Sequence, residues 1–158
     1  EIIYIMKIAV LSDTHNLLRP EVIEIIKSSN AVIHGGDINS QGVLDEIKYV
    51  MKPNAQLFVV RGNNDKELAA NLPVSLDFEL GGLKFFLTHN RKDIPQDIKA
   101  DIIIFGHSHK YHEENISGQV WLNPGSCGRK RFNLPITMAV MNVNDNEYSI
   151  EKIELEGE

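Results

Sequence analysis

Imidazole, carboxylate and carboxamide side chains recur at five places along this chain of 158 residues. They occur as the pairs Asp13-x-His15 and His107-x-His109, and as the single residues Asp37, Asn63 and His89. If the backbone stays extended, the two side chains of such a pair lie on the same face of a strand. Each pair could then bring two ligands to one metal ion, or one ligand to each of two ions.

The seven side chains supply imidazole nitrogens, carboxylate oxygens and one amide oxygen, but no thiolate. This mixture suits Mn²⁺, Fe²⁺, Co²⁺, Ni²⁺ or Zn²⁺ and is less typical of Ca²⁺ or Mg²⁺. Seven protein ligands are too many for one transition metal, so they indicate two ions with a bridging group, for which a carboxylate is suited. Paired ions about 3.5–4 Å apart clamp phosphate oxygens and generate a hydroxide from water.

Strands must end beside these residues if they are to meet. Residues 7–11, 31–34 and 56–60 are apolar, β-rich runs, and each precedes one of the polar segments. Between them, residues 20–29 and 41–51 repeat apolar side chains at helical spacing. This alternation predicts parallel strands with helical crossovers, and such sheets bind ligands at the carboxyl ends of their strands.

The second half of the chain predicts mostly strands. Residues 74–80 and 84–88 flank Gly81-Gly82, which indicates a hairpin whose second arm ends just before His89. A strand over 101–105 precedes His107, and residues 95–99 form at most a short helix. Further strands are predicted near 112–116, 119–122, 136–142 and 147–154. The last of these alternate apolar and polar residues, as antiparallel strands with one solvated face do.

Gly35 and Gly36 separate the buried run 31–34 from Asp37. Glycine permits a sharp turn or a close approach of the backbone to another group. An aspartate at a strand end often only caps a turn, and Asn63 could supply a left-handed turn position. The prediction of a metal site therefore depends on the joint pattern, in which the two glycines would make room for cations and a phosphate.

Composition restricts the other function classes. The length predicts a single domain over residues 1–158. A net charge of −6 argues against general nucleic-acid or membrane-surface binding. The single cysteine, Cys127, cannot form an internal disulfide, which fits a cytoplasmic location. No apolar run approaches the ~20 residues of a membrane span.

Residues 1–5 lack the basic and apolar regions of a secretory signal. Met6 begins a run that resembles a natural start. The preceding five residues are either an N-terminal extension that lengthens the first strand or an added remnant.

Five motifs, taken in order, resemble those of the calcineurin-like metallophosphoesterase superfamily. They are Asp13-x-His15, Gly35-Gly36-Asp37, Gly62-Asn63-Asn64-Asp65, His89 and Gly106-His107-x-His109. The small size and the Asn123-Pro124-Gly125-Ser126 turn resemble the YfcE-type phosphodiesterase branch. The similarity runs from about Met6 to Ser126 and continues more loosely to the end.

The resemblance implies a four-layer α/β/β/α sandwich of two packed mixed sheets flanked by helices. It also implies that Asp13, His15 and His109 hold one metal ion, and that Asn63, His89 and His107 hold a second. Asp37 would bridge the two ions, and a shared hydroxide would attack phosphorus in line. Asp37, Asn63 and Asn64 would then be the residues nearest the chemistry.

The expected activity is therefore metal-dependent hydrolysis of a phosphodiester in a small phosphate ester. Mn²⁺ is the first expectation for the metal, with Ni²⁺, Co²⁺, Fe²⁺ or Zn²⁺ as alternatives. Family members of this size often form homo-oligomers, and the same is expected of this chain.

Asn64 is the main departure from the family pattern, because many members carry a histidine at this position. The YfcE-type branch commonly lacks that histidine, so the departure does not affect metal binding. It affects general-acid assistance, which is typically worth 10²–10⁴-fold in rate. We therefore expect a preference for diesters with good leaving groups, or proton delivery through water.

Two other activities remain open from the sequence. A phosphomonoesterase would use the same metals. A protein-binding scaffold, like the retromer subunit of this fold, would be expected to lose metal ligands, and none of the seven is replaced here.

Cys127 does not fit the C-x₅-R loop of a cysteine phosphatase, because Asn133 stands where arginine is required. Nor does Ser126 lie in a G-x-S-x-G elbow, because Pro124 occupies the first glycine position. We interpret Cys127 as a packed residue, and we expect His34 in the core and His112 at the surface. Arg129, Lys130 and Arg131 form either a solvated turn or a contact to substrate phosphate.

Overall fold

The computed structural model describes residues 5–68 and 70–156 and contains two five-stranded sheets packed face to face. The strands are β1 (Met6–Leu11), β2 (Ala31–His34), β3 (Gln56–Val59), β4 (Ser75–Leu80), β5 (Leu83–Thr88), β6 (Ile102–Ile104), β7 (His112–Ile116), β8 (Gln119–Asn123), β9 (Ile136–Asn144) and β10 (Glu147–Leu155). The spatial order is β10-β9-β1-β2-β3 in the first sheet and β4-β5-β6-β8-β7 in the second. The predicted pair of packed mixed sheets is confirmed.

The crossover helices of the first sheet are α1 (Pro20–Lys27) and α2 (Gln41–Val50). Pro20 occupies the first turn of α1, where no amide donor is required, and Ser40 caps the start of α2. Both helices pack their apolar faces on the outer face of the first sheet. Strands β1, β2 and β3 are mutually parallel, as the alternation of strands and helices predicts.

Strand β9 lies between β1 and β10 and is antiparallel to both. The prediction that this strand alternates between a buried and a solvated face was wrong, because residues 136–141 are all buried. Met138 packs among the side chains beneath the helices, while Met141 packs between the sheets. Of the last two strands, β10, at the edge of the sheet, is the one with a largely exposed pattern.

The second sheet begins with the hairpin of β4 and β5. Gly81 and Gly82 form its turn with φ angles of 58° and 84°, which glycine adopts at little cost. Strands β5, β6 and β8 are parallel neighbours. The inner faces of the two sheets form the main core, where Val10 and Ile33 of the first sheet meet Phe85 and Ile104 of the second.

The outer face of the second sheet has a different cover. It is formed by a 3₁₀ turn at Arg91–Asp93 and by the irregular segment 94–100, in which Ile94 and Ile98 pack on Phe86 and Ile103. The short helix considered for residues 95–99 is replaced by turns. Both α-helices found in the described part of the chain therefore flank the first sheet.

Within the described ranges, no helix is both long and apolar enough to cross a lipid bilayer. The possible extension at residues 1–5 falls almost entirely outside those ranges, which start at residue 5.

Candidate metal centre

The loops that follow five strands, β1, β2, β3, β5 and β6, meet at one edge of the two sheets. The loop after β1 is hydrogen-bonded to the loop after β2, because Asp13 N donates to Gly36 O at 2.9 Å and His15 N donates to Asp37 O at 3.0 Å. In the second sheet, Gly106 N donates to His89 O at 2.9 Å. Across the sheets, His107 N donates to Asp13 Oδ2 at 3.1 Å and His89 Nδ1 lies 2.6 Å from Gly35 O, so the polar segments of both sheets meet at one place.

The ligand-bearing loops are not extended. Five of the predicted ligands have left-handed backbone angles, with φ values of 54° at Asp13, 44° at His15, 59° at Asp37, 75° at His107 and 64° at His109. The assumption of extended Asp-x-His and His-x-His pairs was therefore wrong, and tight loops aim these side chains inward. Non-glycine residues in such conformations cost of order 1–3 kcal/mol each and cluster at functional sites.

Asp13, His15 and His109 form a buried group in which three ligand atoms face one another. The Nε2 atoms of His15 and His109 lie 3.3 Å apart, and they lie 3.6 and 3.4 Å from Asp13 Oδ1. Two ligand atoms that each lie about 2.1 Å from one ion are separated by roughly 3–3.5 Å. The spacing therefore fits a divalent transition metal.

Asp13 Oδ1 supports this fit because it is buried and has no hydrogen-bond partner. The other carboxylate oxygen, Oδ2, accepts hydrogen bonds from Ser12 Oγ at 2.7 Å and His107 N at 3.1 Å. A buried carboxylate oxygen without a donor is costly unless a cation or another partner offsets it. The orientation of Asp13 thus leaves one oxygen for a metal.

Asn63, His89 and His107 form a second group. Asn63 Oδ1 lies 3.0 Å from His89 Nε2 and 3.3 Å from His107 Nδ1. His89 Nδ1 lies 2.6 Å from Gly35 O, to which it can donate its proton, leaving Nε2 free as a ligand. His89 is buried, whereas Asn63 and His107 are exposed.

Asp37 lies between the two groups, and Asp13 of the first group also faces the second. Asp37 Oδ2 is 3.3 Å from His89 Nε2 and 3.6 Å from His15 Nε2, a position suited to a bridge. Asp13 Oδ1 also approaches His89 Nε2, at 4.0 Å. The bridging role of Asp37 therefore stays a prediction, and the geometry adds Asp13 as a second bridging candidate.

Asn64 contacts Asp37 twice. Its backbone N–H donates to Asp37 Oδ1 at 2.9 Å, and its side-chain Nδ2 donates to Oδ2 at 3.3 Å. A carboxamide has no readily ionised proton, so this residue orients the Asp37 carboxylate and is not suited to act as a general acid.

Charge at the centre favours cations. Burial by itself would raise the pKa of Asp13, but the facing rings of His109 and His15 and the charge of His89 hold that pKa far below its usual range. Burial likewise opposes ionisation of Asp37, yet contacts with His89 and Asn64 lower its pKa. Burial acts to lower the pKa of His89, but the two carboxylates raise it overall. Both carboxylates are therefore ionised at neutral pH.

Asp65 supports the centre, although its place in a motif predicted no separate role for it. Its side chain is buried and accepts backbone hydrogen bonds from Asp37 at 2.8 Å, Gly62 at 2.9 Å and Asn39 at 2.8 Å. It therefore fastens the loop of Asp37 to the loop of Asn63. Its position two residues after the predicted ligand Asn63 was the one sequence feature that could have indicated this supporting role.

His34 lies in the core, as predicted. Its Nδ1 accepts from Gly36 N at 3.0 Å, and its Nε2 lies 3.1 Å from Thr14 Oγ1. Burial lowers the pKa of His34 to about 4, so the ring is neutral at physiological pH. It connects the loops after β1 and β2 without adding a charge.

The two glycines before Asp37 have a different explanation from the predicted one. A Cβ on Gly35 would lie 2.7 Å from Ser12 Oγ, and a Cβ on Gly36 would lie 2.8 Å from Gly62 N and His89 Nδ1. Gly36 also has a φ of 101°. These glycines therefore permit close packing of the protein's own loops. Their presence is explained without an ion.

Cys127 is fully buried behind the loop after β1, and burial raises the pKa of its thiol to about 12. The interpretation as a packed residue is confirmed. His112 is partly exposed on β7, and its ring lies 3.2 Å from Glu114 Oε1.

Basic side chains lie on both sides of the centre. Arg129, Lys130 and Arg131 are exposed and lie beside His109, from which a gap too narrow for a water molecule separates them. On the other side, Arg91 and Lys110 contribute to a cavity of about 280 Å³ that also contains Phe105 and His107. Arg91 is also paired with Glu114 at 3.8 Å, so the basic run 129–131 and Lys110 are the cations that favour an anionic ligand at the rim.

The family of the chain follows from its sequence as a whole. Residues 6–146 match the model of the calcineurin-like phosphoesterase superfamily domain. The chain belongs to this family.

Individual relatives agree with this assignment. A phosphodiesterase of Methanocaldococcus jannaschii is 32% identical, over 90% of this chain and 96% of that protein. The solved structure of an archaeal phosphodiesterase superposes with a TM-score of 0.73 at 27% identity, covering 95% of this chain and 100% of that one. A single mutant of Vps29 from Entamoeba histolytica has a TM-score of 0.75 at 20% identity, covering 96% and 100%, and shares the fold.

Proposed function

We propose that this chain hydrolyses phosphodiesters with the help of two divalent transition-metal ions, Mn²⁺ being the first candidate. The observation that carries the proposal is the facing arrangement of Asp13 Oδ1, His15 Nε2 and His109 Nε2. These buried atoms lie 3.3 to 3.6 Å from one another, and Asp13 Oδ1 has no hydrogen-bond donor. The phosphodiesterase relative, matched over nearly its whole length, supports the choice of reaction.

The proposed division of ligands follows the two groups in the structure. Asp13, His15 and His109 would hold one ion, and Asn63, His89 and His107 would hold the other. Asp37 would contact both. When bound, the ions would supply a nucleophile from water at neutral pH and offset the charge of the phosphate.

Hydrolysis forms a bond from a water oxygen to phosphorus while the ester bond in line with it breaks. The departing oxygen then needs a proton. Asn64 cannot provide one, because its amide has no acidic proton and already donates to Asp37. Diesters whose leaving groups are stable as anions are therefore the proposed substrates.

A series of aryl phosphodiesters with leaving groups of increasing pKa tests the missing general acid. The rate should fall steeply as the leaving-group pKa rises. A flat series, with the chemical step shown to be rate-limiting, would indicate that some group donates the proton.

Metal dependence tests the proposal as a whole. The protein is stripped with a chelator, reconstituted separately with Mn²⁺, Ni²⁺, Co²⁺ or Zn²⁺, and assayed with a bis-aryl phosphodiester and with the matching monoester. We expect turnover only after metal addition and faster turnover of the diester. Faster turnover of the monoester would favour a phosphomonoesterase, and no turnover with any metal would favour a protein-binding scaffold.

Assembly and location are further proposals. A homo-oligomer is proposed from the family resemblance, and sedimentation velocity would test it. A cytoplasmic location is proposed because the single cysteine is a buried thiol.

A further inference from the structure

Phe132 lies on the loop after β8, beside the candidate ligand His109. Its side chain is 76% exposed. The two ring centroids lie 5.9 Å apart, and the ring planes meet at 70°. A large apolar ring therefore lies at the rim of the buried ligand group, in contact with one of its members and mostly open to solvent.

The backbone at this position is unusual for a phenylalanine. Phe132 and Asn133 both have a φ of 56°, and the turn that contains them is closed by a hydrogen bond from Leu134 N to Arg131 O at 3.0 Å. Asparagine adopts left-handed angles readily, whereas bulky residues seldom do. Packing does not explain the conformation, because the ring that it presents is exposed.

The surroundings of Phe132 combine this ring with positive charge. Arg129, Lys130 and Arg131 directly precede it, and all three are exposed. They lie beside His109, and the described residues that line the narrow gap between them include no acidic side chain. A ligand that carries a phosphate and a planar ring would match both features at once.

We infer that Phe132 is a specificity-determining residue that stacks on an aromatic group of the substrate, such as an aryl ring or a nucleobase. The inference rests on the proposed function, because it places that aromatic group on an ester of the phosphate bound at the metal centre. The neighbouring basic residues attract the anion, and the ring selects aromatic over alkyl esters. Replacing an aromatic side chain that stacks on a base with alanine typically lowers affinity by roughly 5- to 150-fold.

Binding of two phosphonates tests this inference without requiring turnover. Phenylphosphonate and methylphosphonate carry the same anionic group and differ in the ring, and calorimetry on the Mn²⁺-loaded protein gives both affinities. We expect the wild-type protein to prefer phenylphosphonate by roughly tenfold. Phe132→Ala should remove that preference by weakening only phenylphosphonate, while Phe132→Tyr should retain it.

Tyr49→Ala is the matched control. Tyr49 is 89% exposed near the end of α2, which runs away from the ligand edge of the first sheet. Its removal should leave the preference unchanged. Circular dichroism checks that each variant is folded, which is expected because both rings are exposed.

Several results would overturn the inference. These are no measurable binding of phenylphosphonate, equal affinities in the wild-type protein, or a preference that survives in Phe132→Ala. A Phe132→Ala protein that dissociates from dimer to monomer with its preference intact would instead make Phe132 a contact between copies. If no phosphate ester is turned over but the Phe132-dependent preference is present, the proposed hydrolysis fails while ring recognition stands.

Discussion

The two ligand groups of the candidate centre differ in how the protein holds them. In the group of Asp13, His15 and His109, all three side chains are buried, whereas in the other group Asn63 and His107 are exposed and only His89 is buried. Burial fixes ligand positions before a metal arrives and limits exchange with water. The buried group should therefore bind its ion more tightly, and the exposed group should be the side at which substrate and water enter.

Removal of Asp13 should have the largest effect, since its carboxylate approaches the ligands of both groups. Asp13→Ala is expected to lower kcat/KM by about a thousandfold or more, because metal ions contribute several kcal/mol of transition-state stabilisation. Steady-state kinetics at saturating Mn²⁺ measures this loss. Asp93→Ala, at an exposed aspartate of the 3₁₀ turn, is the matched control. If Asp13→Ala retained most of the activity, Asp13 would not be a metal ligand of the active centre.

Metal titration should separate the two groups. We expect the wild-type protein to bind two ions in two resolved steps, and Asp37→Ala to abolish occupancy by two ions. His107→Ala should weaken only the second step, and His109→Ala should weaken the first. Calorimetric titration with Mn²⁺ measures stoichiometry and affinity. If Asp37→Ala still binds two ions tightly, Asp13 and not Asp37 is the bridging ligand. If the wild-type protein binds both ions with the same affinity, the two groups do not differ as proposed.

Asp65 should affect both groups indirectly. Asp65→Asn replaces one acceptor oxygen with an amide, which leaves a backbone N–H of the Asp37 or Asn63 loop without its partner. Loss of such a supporting contact typically lowers metal affinity 10–100-fold, and the free energy of unfolding should fall by about 1–3 kcal/mol. Metal titration and urea denaturation measure the two effects. An unchanged titration would show that the loops keep their positions without Asp65.

Charge reversal in the basic run should have a smaller effect. Glutamate at position 129, 130 or 131 is expected to raise KM roughly two- to fivefold, since exposed ion pairs contribute about 1 kcal/mol or less. The increase should shrink at high salt, because exposed charges are screened. Lys48→Glu on α2 is the matched control. Unchanged kinetics in all three variants would show that residues 129–131 form a solvated turn that does not contact the substrate.

The smallest expected effect is the reactivity of the Cys127 thiol in the folded protein. Because burial raises its pKa to about 12, the thiol remains protonated at pH 8, and its thiolate fraction is negligible. A thiol reagent such as dithiobis(nitrobenzoate) should not react with the folded protein, but should label one thiol after denaturation in guanidinium. Fast labelling of the native protein would show that the buried half of the centre opens.

Local sequence patterns predicted the individual elements well. The strand 31–34 and the hairpin at Gly81-Gly82 lie where periodicity and turn residues placed them. The burial of β9 could not be predicted, because its composition does not reveal that it is inserted between β1 and β10. That placement depends on long-range pairing, for which a single sequence carries no local signal.

The same distinction applies to the centre. The chain order predicted that Asp13, Asp37 and Asn63 follow parallel strands of one sheet. It could not show that His89 and His107, which follow strands of another sheet, lie at the same edge. That expectation rested on the joint pattern of ligand types at strand ends and on the resemblance to a known family. Left-handed angles at Asp13 and His15 were also missed, because spacing alone does not distinguish an extended pair from a tight loop.

The position of β9 has a consequence for synthesis of the chain. All seven candidate ligands have been made once residue 109 leaves the ribosome, but the strand that pairs with β1 begins only at residue 136. Until then, β1 presents an unpaired edge directly before the loop of Asp13 and His15, and such edges invite pairing with other chains. We therefore expect high metal affinity to arise late in synthesis, when the hairpin of β9 and β10 pairs with this edge. Until then the nascent chain contains all seven ligands but does not hold them in the geometry that binds metal tightly.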